Sequence, residues 1–71
     1  MEEQEFLHKL SVDTNVNIEL LKELTGNVKF IDLARRGKTI DAIGILRRIQ
    51  PRVELMEAKM VVEAFAREFK I

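Results

Sequence analysis

Thr39-Ile40-Asp41-Ala42-Ile43-Gly44-Ile45-Leu46-Arg47-Arg48-Ile49-Gln50-Pro51 is the stretch that decides the fold. Ile40, Ile43, Leu46 and Ile49 recur at helical spacing and Ile45 widens the stripe, so residues 40 to about 49 read as a helix with one apolar face. Thr39 suits its N-cap, because a hydroxyl there can accept from an amide of the first turn. Pro51 cannot continue the helix but fits the first turn of another, so the chain turns near Gln50 and runs helical again to about residue 69. Gly44 weakens the first of these helices by about 1 kcal/mol relative to alanine. Close approach of another helix at that point is the expected reason, with tolerance on an exposed face as the alternative.

Upstream, Gly26, Gly37 and the polar run Ser11-Val-Asp-Thr-Asn15 punctuate the chain. Residues 2–10 form a short helix with acids in its first turn, where they favour the positive end of the helix dipole, and with Phe6, Leu7 and Leu10 inward. A second helix starts on an asparagine cap near residues 15–17, presents Ile18, Leu21 and Leu24, and ends at Gly26 in a left-handed C-cap. Asn27 can cap a third, over residues 28–36, with Val28, Ile31 and Ala34 inward and Gly37 closing it. A strand over residues 27–33 is the alternative. The expected fold is all-α: one domain over residues 1–71, a compact bundle of about four short helices ending in a helical hairpin (residues 39–69).

The last helix carries two apolar stripes. Leu55, Ala58, Val62, Phe65 and Phe69 form one; Val53, Met56, Met60 and Ala64 form a second, set apart by charged positions. Either one core wraps both, or the methionine stripe is a homodimer or partner contact, since methionine adapts well to binding surfaces.

Composition narrows the function classes. The chain has no cysteine and a single histidine, so neither a disulfide nor a cysteine or histidine zinc site can be built within it. With 46% apolar residues it has enough to bury, which argues against disorder. The acidic opening Met1-Glu-Glu-Gln-Glu5 and the lack of a long apolar run argue against a signal peptide and a membrane span, so a cytoplasmic protein that does not enter the membrane is expected. Gly37-Lys38-Thr39 looks like the end of a phosphate loop, but that loop needs a glycine where Asp32 stands. His8 has no second ligand or catalytic partner nearby, and the glutamates of the last helix spread around it. No catalytic residues, cofactor or metal are expected, and the protein reads as a non-enzyme.

Charge is the informative property. Lys and Arg total 12 and Asp and Glu total 12, yet residues 35–52 hold six cations and one anion while residues 1–25 hold six acids and two bases. Arg35, Arg36, Lys38, Arg47, Arg48 and Arg52, joined by Lys59 on the last helix, are the candidate partner-binding residues.

The run Val28-Lys-Phe-Ile-Asp-Leu-Ala-Arg-Arg-Gly-Lys-Thr-Ile40-Asp-Ala-Ile43-Gly-Ile-Leu-Arg47-Arg48, followed by Leu55-Met-Glu57-Ala58-Lys59-Met-Val-Val-Glu63, resembles the helical hairpin of the ribosomal stalk protein L7/L12 C-terminal domain and its small bacterial relatives. Ile40, Ile43, Arg47 and Lys59 fall on matching positions. The resemblance spans about half of the chain and implies a hairpin that docks protein factors partly through its cations. Gly44 stands where that family has an exposed lysine, and the turn Ile49-Gln-Pro-Arg-Val-Glu-Leu55 is longer and lacks glycine. Two functions follow as expectations. One is a small adaptor or inhibitor that meets an acidic protein partner through its basic hairpin. The other is a nucleic-acid-binding regulator that uses the same residues on phosphates, although the net charge is zero and no Tyr or Trp is present to stack on bases.

Overall fold

A computed structural model describes residues 2–69. Five helices follow one another: α1 (Glu3–Thr14), α2 (Ile18–Thr25), α3 (Val28–Arg35), α4 (Thr39–Ile49) and α5 (Leu55–Glu68). The fold is all-α, with five helices rather than about four, and no strand occurs among the described residues. Residues 28–33 therefore resolve as helix, with Asn27 as the cap before them.

The polar run ends α1 rather than preceding α2 as a linker. The Thr14 hydroxyl donates to the Leu10 carbonyl at 2.7 Å and accepts the Val16 amide at 3.3 Å. Ser11 Oγ donates to the Val16 carbonyl at 2.7 Å. Asn15 then takes the left-handed conformation at φ 59°, which asparagine tolerates better than most residues. These side chains satisfy backbone groups that a helix end leaves open, so α1 runs one turn beyond its expected end at Leu10.

The asparagine caps act as local chemistry dictates. Asn17 Oδ1 accepts the Glu19 amide at 2.7 Å and Asn27 Oδ1 accepts the Phe30 amide at 2.9 Å. Gly26 between them stays right-handed, at φ −90°, because the Asn27 amide closes the turn directly onto the Leu24 carbonyl at 3.0 Å. Gly37 does adopt the left-handed conformation, at φ 77°. The Gly37 amide reaches the Ala34 carbonyl at 3.1 Å and the Lys38 amide reaches the Leu33 carbonyl at 2.9 Å, the paired bonds of a Schellman stop. That stop places Lys38, not Thr39, at the α4 N-cap, so Thr39 becomes the first helical residue. Asn27→Ala removes an acceptor at a helix start and is expected to lower stability by about 1 kcal/mol; a urea melt with an unchanged midpoint would remove this cap from the account.

Two helices are rotated relative to the expected faces. On α3, Phe30 and Ala34 are buried and Ile31 is half-buried, while Val28 is 82% exposed. The phenyl ring buries more apolar area than a valine, and turning it inward swings Val28 outward. On α4, Ala42 and Leu46 are fully buried, Ile43 and Ile45 pack on the core from its edges, and Ile40 is 84% exposed. Ile49 also stays outside. Gly44 therefore sits on the outer face, and a Cβ built there meets nothing within 4 Å. Among the described residues no helix approaches it that closely.

Pro51 lies in the connection, one turn ahead of the position expected for it, and Val53 bonds back to the Gln50 carbonyl at 3.2 Å. α5 starts at Leu55, where the Glu57 carboxylate accepts the Glu54 amide at 3.3 Å. That reciprocal contact between an N-cap residue and the third helical residue is a capping box. α5 buries one broad face, Ala58, Val61, Val62, Ala64 and Phe65, rather than two stripes. Val61 fills the gap between the stripes, and Leu55 from the first one is exposed.

The core converges on Phe65. Its ring lies 5.2 Å from Phe30, 5.5 Å from Phe6 and 5.5 Å from Phe69, centroid to centroid. Phe6 thereby ties α1 to the C-terminal end of α5, while α3, α4 and α5 pack against one another. Among the described residues every buried side-chain polar atom has a hydrogen-bond partner. No helix among them is long and apolar enough to cross a membrane.

Candidate functional site

Each sequence-selected cation is exposed, and the elements that carry them divide them into groups. Arg35, Arg36 and Lys38 stand around the Gly37 stop, at the start of α4. Arg47 and Arg48 lie in its last turn, and Arg52 follows in the connection to α5. Eleven residues of helix span about 16 Å, so the hairpin presents two positive clusters at opposite ends of α4 rather than one patch. Lys59 sits apart, on the outer face of α5.

The clusters are nearly free of internal counter-charge. Among the described residues two ion pairs form: Lys22 with Glu19 at 3.9 Å and Arg36 Nε with Asp32 Oδ1 at 3.1 Å. Both are exposed, and pairs of that kind stabilise by at most about 1 kcal/mol. Arg35, Lys38, Arg47, Arg48, Arg52 and Lys59 pair with no described carboxylate, and Glu2, Glu3 and Glu5 at the start of α1 do not reach them. Arg47 and Arg48 do gain from the negative end of the α4 dipole, by about 0.3–1 kcal/mol each. No such local reward applies to Lys38, which occupies the positive end of the same helix.

One cation escaped the sequence reading. The three-residue connection Arg36-Gly37-Lys38 folds α4 back along α3, which carries the start of α3 to the end of α4. Lys29 and Leu33 of α3 thereby face Ile40, Asp41, Gly44, Ile45 and Arg48 of α4 across an open groove of about 420 Å³. Lys29 joins Arg48 at one end of this groove and has no described ion-pair partner. The signal was available, because so short a connection between two helices commonly sets them side by side. The exposure of Ile40 was not, because it depends on how α4 is rotated in the bundle.

Burial divides the methionine stripe. Val53 and Ala64 belong to the core, whereas Met56 is 76% exposed and Met60, one turn on, is also exposed. Of the four residues expected to form a homodimer or partner face, Met56 and Met60 are open to solvent and Val53 and Ala64 are not. The reason is the breadth of the α5 buried face: Val61 and Phe65 draw Ala64 inward, and Val53, on the connection before α5, is not bound to the helical period.

No three described His, Asp or Glu side chains converge in a way that could hold a metal ion. His8 lies on the rim of a second open groove, between α1 and α2, with Glu5, Leu7, Ile18 and Lys22. Chemically, then, the hairpin offers cations beside exposed aliphatic surface. Set against family models, curated proteins and solved structures, the chain matches none of them.

Proposed function

We propose that this protein is a small non-enzymatic interaction module, an adaptor or inhibitor, that docks an acidic protein partner through the basic surface of α3 and α4. One observation carries the proposal: the cations of residues 35–52 are exposed and, Arg36 apart, unpaired in a chain that holds as many carboxylates as cations. Gathering like charges without internal partners costs self-repulsion, and an acidic surface relieves that cost while steering encounter. The likeness of residues 28–63 to the stalk-protein hairpin supports the same use, since that hairpin docks factors, though fold alone does not fix function. A cytoplasmic setting belongs to the same proposal.

The test is a pull-down from native lysate with and without nuclease, using the Arg47→Glu/Arg48→Glu variant as control. Both arginines are exposed, so the variant is expected to fold. Two glutamates at the α4 C-terminus cost about 0.3–1 kcal/mol each, and Arg47→Ala/Arg48→Ala serves as a second control without that penalty. One protein retained after nuclease and lost with both variants is the expected result. Retention that disappears with nuclease transfers the basic surface to nucleic acid, and undiminished retention by both variants removes it from the function.

A further inference from the structure

We propose that the groove between α3 and α4 seats an acidic amphipathic helix of the partner, with that helix crossing α4 at Gly44. The inference rests on the docking function above and specifies its geometry. Gly44 is its first support. Nothing among the described residues calls for glycine there: its backbone has no positive φ, no neighbour lies within 4 Å of a built Cβ, and the position weakens the helix. A missing side chain on an exposed helix face lets another backbone come close, and among the described residues none does.

Ile40, Gly44 and Arg48 follow at four-residue steps and therefore form one ridge of α4. At 84% exposure Ile40 is the most exposed of the large apolar side chains described. It stands on the groove with Leu33 and Ile45, so the seat has an apolar wall and a low point at Gly44. Its charge is polar along the groove, with Lys29 and Arg48 toward the α4 C-terminus and Asp41 toward the N-terminus. A helix whose apolar side chains fill the groove would place its carboxylates at Lys29 and Arg48 and turn the positive end of its own dipole toward Asp41. A phosphate backbone could use the cations, but it leaves the apolar wall unused and meets Asp41 unfavourably.

The probe is a synthetic, fluorescently labelled helical peptide of about five turns, with leucine and alanine on one face and glutamate on the other. Its binding is followed by anisotropy, and its site is mapped by backbone amide shifts of the labelled protein. Saturable binding with shifts concentrated in residues 29–33 and 40–48 is expected. Gly44→Leu and Ile40→Asp are each expected to weaken it by roughly tenfold or more, the loss of one buried anchor, while Met60→Glu leaves it unchanged. Gly44→Leu fills open space with a better helix former, so its melting midpoint stays at or above that of the parent. The seat is overturned by a lack of saturable binding, by shifts that gather on Leu55, Met56 and Met60, by unchanged affinity in Gly44→Leu, or by displacement of the peptide at equal concentration by a single-stranded oligonucleotide. If Gly44→Leu keeps its lysate partner while Arg47→Glu/Arg48→Glu loses it, the docking function stands without the groove. If neither variant loses it, both fall.

Discussion

Phe65→Ala is expected to leave most of the chain unfolded at room temperature. Phe65 is fully buried and is the side chain against which Phe6 of α1, Phe30 of α3 and Phe69 beyond α5 all pack, with centroids 5.2 to 5.5 Å away. Truncating a buried phenylalanine costs about 3–5 kcal/mol, because the transfer free energy is lost and a cavity remains. Loss of the two edge-to-face contacts, with Phe6 and Phe30, adds about 0.5–1.5 kcal/mol each. A chain of 71 residues without a disulfide has a stability of only about 3–5 kcal/mol to lose. The loss therefore matches or exceeds the reserve. Far-UV circular dichroism with a urea titration measures it. A cooperative transition displaced by less than about 1 kcal/mol would mean that the ring cluster is not the centre of the fold, since even a surface substitution can cost about half of that.

Some features were legible in the sequence because their chemistry is local. Asn17 and Asn27 cap helices through side-chain oxygens that need only the next two or three amides, and Gly37 is the residue best able to take φ 77°. Such interactions are complete within a few residues. The extension of α1 through Thr14 was less visible, because it depends on hydroxyl bonds back to Leu10 and across to Val16 that compete with a simple break at the polar run. The facing of α4 was not legible. Its aliphatic residues at 40, 43, 45, 46 and 49 occupy more than half of a wheel drawn at about 100° per residue, so periodicity alone permits several faces. Packing against α3 and α5 chooses the one centred on Ala42 and Leu46, where a small residue admits the neighbouring helices.

The candidate surface inherits the same division. Arg35 to Arg52 stood out from composition, and their exposure is what charged side chains on a small bundle adopt. Their arrangement is a different matter. Whether six cations make one patch or two depends on helix length and connection, and the apolar half of the groove depends on which isoleucine the core leaves out. Ile40 was expected in the core and lies on the surface beside Lys29 and Arg48.

The rotation of α4 is therefore the point on which both fold and site turn, and a pair of alanine substitutions measures it. Leu46→Ala is expected to destabilise the protein by about 2–5 kcal/mol, since Leu46 is fully buried and a core closes only partially over a truncated side chain. Ile40→Ala removes one side chain of similar size from the same helix and the same expected stripe, yet it is expected to change stability by no more than about 0.5 kcal/mol, because its surface is already in water. Alanine also has the better helix propensity, by a few tenths of a kcal/mol over isoleucine, so the sign of the Ile40 effect can even be favourable. Urea melts of the two variants, recorded side by side, read the difference directly. Comparable losses at both positions would mean that α4 faces the core along the Ile40, Ile43, Leu46 and Ile49 stripe. Ile40 would then be withdrawn from the groove, Gly44 would turn toward its edge, and the seat proposed for an acidic helix would lose its apolar wall. A large loss at Leu46 with none at Ile40 leaves an isoleucine in water beside two unpaired cations, where its burial by a partner contributes to binding without having contributed to folding.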